Sequence, residues 1–154
     1  MALSDLIPDG GILADVSASS RKQALHAITD LAHRAMDIPA RPMLDAVLER
    51  EKLGSTGVGD GVAIPHARTD LVKRVCGVFM RLTQPVDFDA VDGRPADLIF
   101  LLLAPEDAGA EHLKALAQVA RLFRREDVRD AVRAAPDADA ITQILANGVK
   151  SDAA

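Results

Sequence analysis

Leu98-Ile99-Phe100-Leu101-Leu102-Leu103-Ala104 holds seven apolar residues in succession. Val75 to Leu82 comes close to the same pattern. Neither run alternates as a strand with one wet face does, so both are expected to be strands buried on both faces of a sheet that helices cover. Val62 to Ile64 is a shorter apolar run of the same kind, and Ile12 to Val16 fits a short edge strand.

The covering helices are legible on either side. Ala24, Leu25, Ile28, Leu31, Ala32 and Met36 recur at helical spacing after Ser19-Ser20, which supply an N-cap, and this helix is expected to end before Pro39. A second starts near Pro42, turns Leu44, Val47 and Leu48 inward, and closes on Glu49-Arg50-Glu51-Lys52. Proline in the first turn and basic residues in the last suit a helix and its dipole. A third runs from about Ala110 to Arg124, with Leu113, Leu116, Ala117, Ala120 and Phe123 as its expected buried stripe. Val128 and Val132, then Ile141, Ile144 and Leu145, mark two shorter helical segments separated by Pro136 and closed by Asn147-Gly148. The tail from Lys150 to Ala154 is expected to fray. Gln84 to Pro95 is expected to be a turn-rich connector, sharpest at Asp92-Gly93. With no internal repeat and no linker, the chain is expected to form a single α/β domain over residues 1–154, its ordered core spanning about residues 5–148.

Composition narrows the function. The 154 residues include 49% hydrophobic and 27% charged residues, but no Trp, no Tyr and only four Phe, so the core must be aliphatic. A net charge of −5 and the scarcity of aromatic rings argue against nucleic acid as a partner. Cys76 is the sole cysteine; it precludes an internal disulfide and, inside an apolar run, is expected to be a buried packing residue. No basic leader or long apolar span is present, and a cytoplasmic protein with no membrane insertion is expected. His26 and His33 lie seven residues apart on the first helix, a spacing expected for solvated side chains more than for a metal pair.

Chemistry concentrates in Gly54-Ser55-Thr56-Gly57-Val58-Gly59-Asp60-Gly61-Val62-Ala63-Ile64-Pro65-His66-Ala67-Arg68. Glycines free the backbone for positive φ and for exposing N–H groups, and Pro65 stiffens the chain directly before His66. Such a segment suits a nucleophile held beside an anion. A nucleotide-binding loop would need the GxGxxG spacing after a strand, or lysine where Asp60 stands, and has neither. A serine hydrolase built on Ser55 with His66 or His112 lacks the GxSxG elbow. Zinc bound by His66, His112 and a carboxylate has no short ligand pair to support it, although scattered ligands leave it open. Imidazole remains a competent nucleophile, because its ordinary pKa near 6.5 leaves much of it neutral at cellular pH.

From Arg50 to His66 the sequence closely resembles the active-site motif of type-2 IIA domains (fructose/mannitol class) of the bacterial phosphoenolpyruvate-dependent phosphotransferase system. Phe88-Asp89-Ala90-Val91-Asp92-Gly93 and Leu101-Leu102-Leu103-Ala104-Pro105 are most similar to the nitrogen-regulatory branch of that family. The resemblance implies a mixed β-sheet flanked by helices, with His66 carrying a phosphoryl group. It implies that His112, on the helix after the apolar strand, orients or neutralises that group and that Arg50 offers it a guanidinium fork. Ser55, Thr56 and Gly57 would add hydroxyl and N–H donors, and Arg68 is as well placed to face a partner as to touch phosphate. No cofactor and no metal are implied. The implied donor is an HPr-like phosphocarrier; the recipient is a regulatory target or, alternatively, a IIB domain of a sugar-transport branch. No IIB or membrane IIC domain fits within these residues, which favours regulation.

Overall fold

The computed structural model describes Leu3 to Ala153, with side chains through Gly148. After a 3₁₀ turn at Leu3–Asp5 the order is β1 (Ile12–Val16), α1 (Arg21–Met36), α2 (Ala40–Leu53), β2 (Gly57–Gly59), β3 (Val62–Ala63), β4 (His66–Arg68), β5 (Cys76–Val86), β6 (Ala96–Ala104), α3 (Gly109–Arg124), α4 (Glu126–Ala134) and α5 (Ala138–Ala153). The sheet is mixed, in the order β1-β5-β6-β3-β2, with β4 also paired to β6. β1 runs parallel to β5, β5 antiparallel to β6, and β3 and β4 both run parallel to β6.

The uninterrupted apolar run of β6 divides cleanly between two cores. Ile99, Leu101 and Leu103 face α1 and α2, while Leu98, Phe100, Leu102 and Ala104 face α3, α4 and α5. The period-2 geometry of a strand leaves no wet side for a polar residue to occupy. β5 follows suit, with Val78 and Met80 on the first face and Phe79 on the second, where Phe79 stacks on Phe123 with centroids 5.5 Å apart. Its one cation, Arg81, is buried but satisfied by the carbonyls of Val132 and Ala135 at the end of α4 and by the Asp15 carboxylate.

Several expectations need correction. β5 continues through Gln84-Pro85-Val86, so the connector begins only at Asp87; Val86 is buried and pairs with Ala96, which outweighs the turn tendency of the proline. The glycine-rich segment is largely a hairpin. Asp60 and Gly61, with φ of 59° and 79°, make the two-residue turn between β2 and β3, the turn type that Asp-Gly favours. The buried residues of α3 are His112, Ala115, Val119, Leu122 and Phe123, and Leu113 stands 68% exposed. The helix is thus rotated from the expected orientation because His112, not Leu113, turns toward the sheet. α5 runs on past Asn147-Gly148, where Gly148 packs so closely on Leu122 that a Cβ would lie 2.8 Å from its Cδ1. The backbone expected to fray is helical through Ala153; Ala154 lies outside the described residues. Ser20 does cap α1, accepting the Gln23 N–H at 3.1 Å.

Candidate functional site

His66 opens β4 in register with Leu102 of β6, which turns its side chain to the α3 face. Pro65 cannot donate a ladder hydrogen bond, but its carbonyl accepts the Leu102 N–H at 3.0 Å as the chain steps from β3 to β4 along one strand. Among the described residues no strand pairs with the outer side of β4. The end of α2 therefore reaches His66 around that edge from the opposite face of the sheet.

Three sequence-predicted residues meet here. The His66 Nδ1 lies 2.8 Å from the Ile64 carbonyl oxygen. A carbonyl only accepts, so Nδ1 carries the proton and Nε2 keeps its lone pair. Arg50 Nε donates toward that Nε2 at 3.3 Å, while Arg50 Nη1 is held by the Gly54 carbonyl at 2.9 Å. From the first turn of α3, His112 brings its ring to 5.4 Å from that of His66, at 66°. The His112 Nε2 is buried without a hydrogen-bond partner among the described residues. The open cleft between α2 and α3 is lined as well by Arg68, Glu106, Leu53, Leu113 and Leu116.

Both imidazoles are driven toward neutrality. Burial is the largest cause of the lowered His66 pKa, helped by the Arg50 cation and opposed by the Ile64 hydrogen bond and the Glu51 charge. His112 is lowered by burial first, then by His66 and Arg68. Two imidazoles held toward neutrality, the guanidinium groups of Arg50 and Arg68 and the carboxylates of Glu49 and Glu106 thus surround the cleft.

Ser55, Thr56 and Gly57 do not join them. The Ser55 hydroxyl donates to the Phe88 carbonyl and accepts the Gly57 N–H at 2.9 Å, and the Thr56 hydroxyl donates to Glu51 Oε1. None of the three lines the cleft. They shape the loop between α2 and β2. The residue missing from the expected set is Glu51, whose side chain is 7% exposed directly after Arg50. A carboxylate beside an arginine at a helix end reads as solvated charge, and only Thr56 five residues on hints otherwise. No group of three His, Cys, Asp or Glu side chains suited to a metal forms among the described residues.

Residues 5–148 match the family described as phosphoenolpyruvate-dependent sugar phosphotransferase system, EIIA 2. A nitrogen regulatory protein of Bradyrhizobium diazoefficiens is 47% identical over 146 residues, covering 95% of each chain. One from Pseudomonas aeruginosa is 43% identical over 144 residues, covering 93% of this chain and 94% of that one. Among solved structures, the nitrogen regulatory protein IIA-Ntr from Neisseria meningitidis superimposes with a TM-score of 0.86 at 38% identity, over 93% of this chain and 98% of its own.

Proposed function

Because the chain belongs to the EIIA 2 family of the phosphoenolpyruvate-dependent sugar phosphotransferase system, and so is a transferase-type component of that system, we propose that it is the IIA phosphocarrier of a nitrogen-related branch, with His66 as the phosphoryl acceptor. The observation that carries the assignment is the fixed tautomer: Nδ1 is tied to Ile64 and Nε2 is presented, unprotonated, to the cleft beside Arg50 and His112. The nitrogen branch rests on the nitrogen regulatory proteins at 47% and 43% identity.

The donor is an HPr-like protein carrying its phosphoryl group on nitrogen. Its P–N bond breaks as the Nε2 lone pair of His66 forms a new one, and the donor imidazole leaves with the bonding electron pair. Transfer through a loose, in-line transition state needs positioning and charge stabilisation more than proton chemistry. Nδ1–H stays on the ring, and its bond to Ile64 strengthens as the imidazole gains positive character. Arg50 turns its fork to the equatorial oxygens, and His112 Nε2, when protonated, donates a further bond; each charge-assisted contact contributes about 1.5–3 kcal/mol. Leu53 and Leu113, 84% and 68% exposed at the rim, give the incoming protein an apolar footing. The phosphoryl group adds about −1.5 to −2 of charge, by analogy with other phosphorylated side chains, and so switches which regulatory target fits the cleft.

The test incubates the protein with phosphoenolpyruvate, enzyme I and an HPr-like carrier from either the nitrogen or the sugar branch. Intact mass is then read for one added phosphoryl group. Gain from the nitrogen pair, lost in His66→Ala, is the expected result. Gain from the sugar pair alone assigns the protein to transport, handing its group to a IIB domain. Normal labelling of His66→Ala removes His66 from the role.

A further inference from the structure

We propose that Glu51 is a positioning residue for phosphoryl transfer, its buried carboxylate holding the end of α2 and the following loop in the one shape that points Arg50 at His66. The proposal rests on the assignment of His66 above and deepens it. Arg50 is aimed by two bonds, one to His66 itself and one to the Gly54 carbonyl. Gly54 must therefore be fixed, and Gly54 has no side chain with which to anchor itself. Its N–H returns to the Glu51 carbonyl at 3.2 Å, and two residues later the Thr56 hydroxyl returns to Glu51 Oε1. The Arg50 contact thus sits inside a closed loop that begins and ends on Glu51.

Glu51 is also tied beyond its own loop. Its Oε2 lies 3.6 Å from Arg21 Nη1 at the start of α1, and that same Nη1 donates to the Phe88 carbonyl at 3.4 Å. The Ser55 hydroxyl meets the same carbonyl, and Phe88 is wholly buried in the core beneath α1 and α2. A buried carboxylate is costly unless paired and hydrogen-bonded. Here Oε1 accepts from Thr56, while Oε2, without a hydrogen bond among the described residues, has the Arg21 cation as its ion-pair partner, so the carboxylate is the group that joins Arg21 to Thr56. Its negative charge also reaches His66, where it opposes the effects of burial and of Arg50.

The experiment uses Glu51→Ala, Glu51→Gln, Thr56→Val and the double variant Glu51→Ala/Thr56→Val. Phosphoryl transfer from a pre-phosphorylated HPr-like carrier is timed across carrier concentrations. In parallel, the Arg50 Nε–H and His66 ring nitrogens are followed by ¹⁵N NMR on the unphosphorylated proteins. Glu51→Ala and Thr56→Val are each expected to lower the maximal rate about tenfold, with the half-saturating carrier concentration unchanged. The double variant should lose no more than either single one, because both open the same loop. The Arg50 Nε–H signal should lose its hydrogen-bonded shift, whereas Glu51→Gln, which keeps an acceptor for Thr56, should retain it. A maximal rate within twofold of the parent in folded Glu51→Ala, additive losses, or an undisturbed Arg50 signal overturns the proposal. If Glu51→Ala does not fold, Thr56→Val and Glu51→Gln carry the same comparison. The NMR arm needs no phosphate, so it judges Glu51 even if His66 proves not to be the acceptor.

Discussion

His66 has two ring nitrogens, and the backbone distinguishes them: the Ile64 carbonyl, two residues upstream, accepts a hydrogen bond from Nδ1–H and leaves the Nε2 lone pair facing Arg50. The lowered pKa values of His66 and His112 make this a neutral pair over the physiological range. Both are expected to titrate below the ordinary 6.5 when followed by NMR. The sign for stability follows. On acidification the unfolded chain takes up these protons first, so the contribution of both rings is complete above about pH 6.5 and declines as pH falls through that value toward the folded pKa values. Denaturant midpoints measured between pH 8 and 5 should show that fall. Arg50→Ala and His112→Ala are expected to slow phosphorylation by about 10 to 100-fold without unfolding the protein. Arg50→Lys should restore little, since a single ammonium cannot touch His66 and Gly54 at once. Arg50 and His112 were legible in the sequence only through the family resemblance, since taken alone each reads as an ordinary helix-end side chain, and the structure brings both beside His66. The roles of Ser55 and Thr56 were not legible. A hydroxyl takes whichever acceptor the fold brings, and the sequence does not place the Phe88 carbonyl beside Ser55, 33 residues away.

At the level of elements, α3 shows why a helix can be found and its face still missed. Its alanines recur on several sides, so Leu113, Leu116, Ala117 and Ala120 satisfy helical spacing as well as Ala115, Val119 and Leu122 do. The choice between them is made by packing: Ala115, Val119, Leu122 and Phe123 join the core lined by Phe100 and Leu102, which turns His112 inward and leaves Leu113 on the rim of the cleft. The two leucines should therefore behave oppositely. Leu122→Ala is expected to cost about 2–5 kcal/mol in urea unfolding, while Leu113→Ser should stay within about 0.5 kcal/mol yet weaken transfer from the carrier. The hairpin before His66 carries a second prediction. Gly61 has φ of +79°, and a Cβ there would sit 2.3 Å from Arg133 Nη2, which bonds the Asp60 carbonyl and Asp97. Gly61→Ala should destabilise by more than about 1 kcal/mol, measurable by thermal melting. The Asp-Gly dipeptide announced a turn, but β2 and β4, at three residues each, carried too little pattern to be seen.

Across the whole molecule, one sheet separates two apolar cores, and the apolar runs announced that architecture because a strand covered on both faces has no place for polar alternation. Strand order was beyond the sequence: β3 and β4 share one side of β6 end to end, an arrangement set by long-range pairing. Burial in the first core pushes the Cys76 thiol up to about 11. Iodoacetamide at neutral pH should leave it unmodified until denaturant is added, a simple mass-spectrometric check that the core is closed.

β6 is the central rail of this design, with β5 along one side and β3 followed by β4 along the other. In hydrogen–deuterium exchange its amides from Leu98 to Ala104 should be the last to take up deuterium, released only when the entire protein opens. His66 is moored to that strand in register with Leu102, so peripheral breathing of the β2 hairpin is expected to leave its anchorage in place.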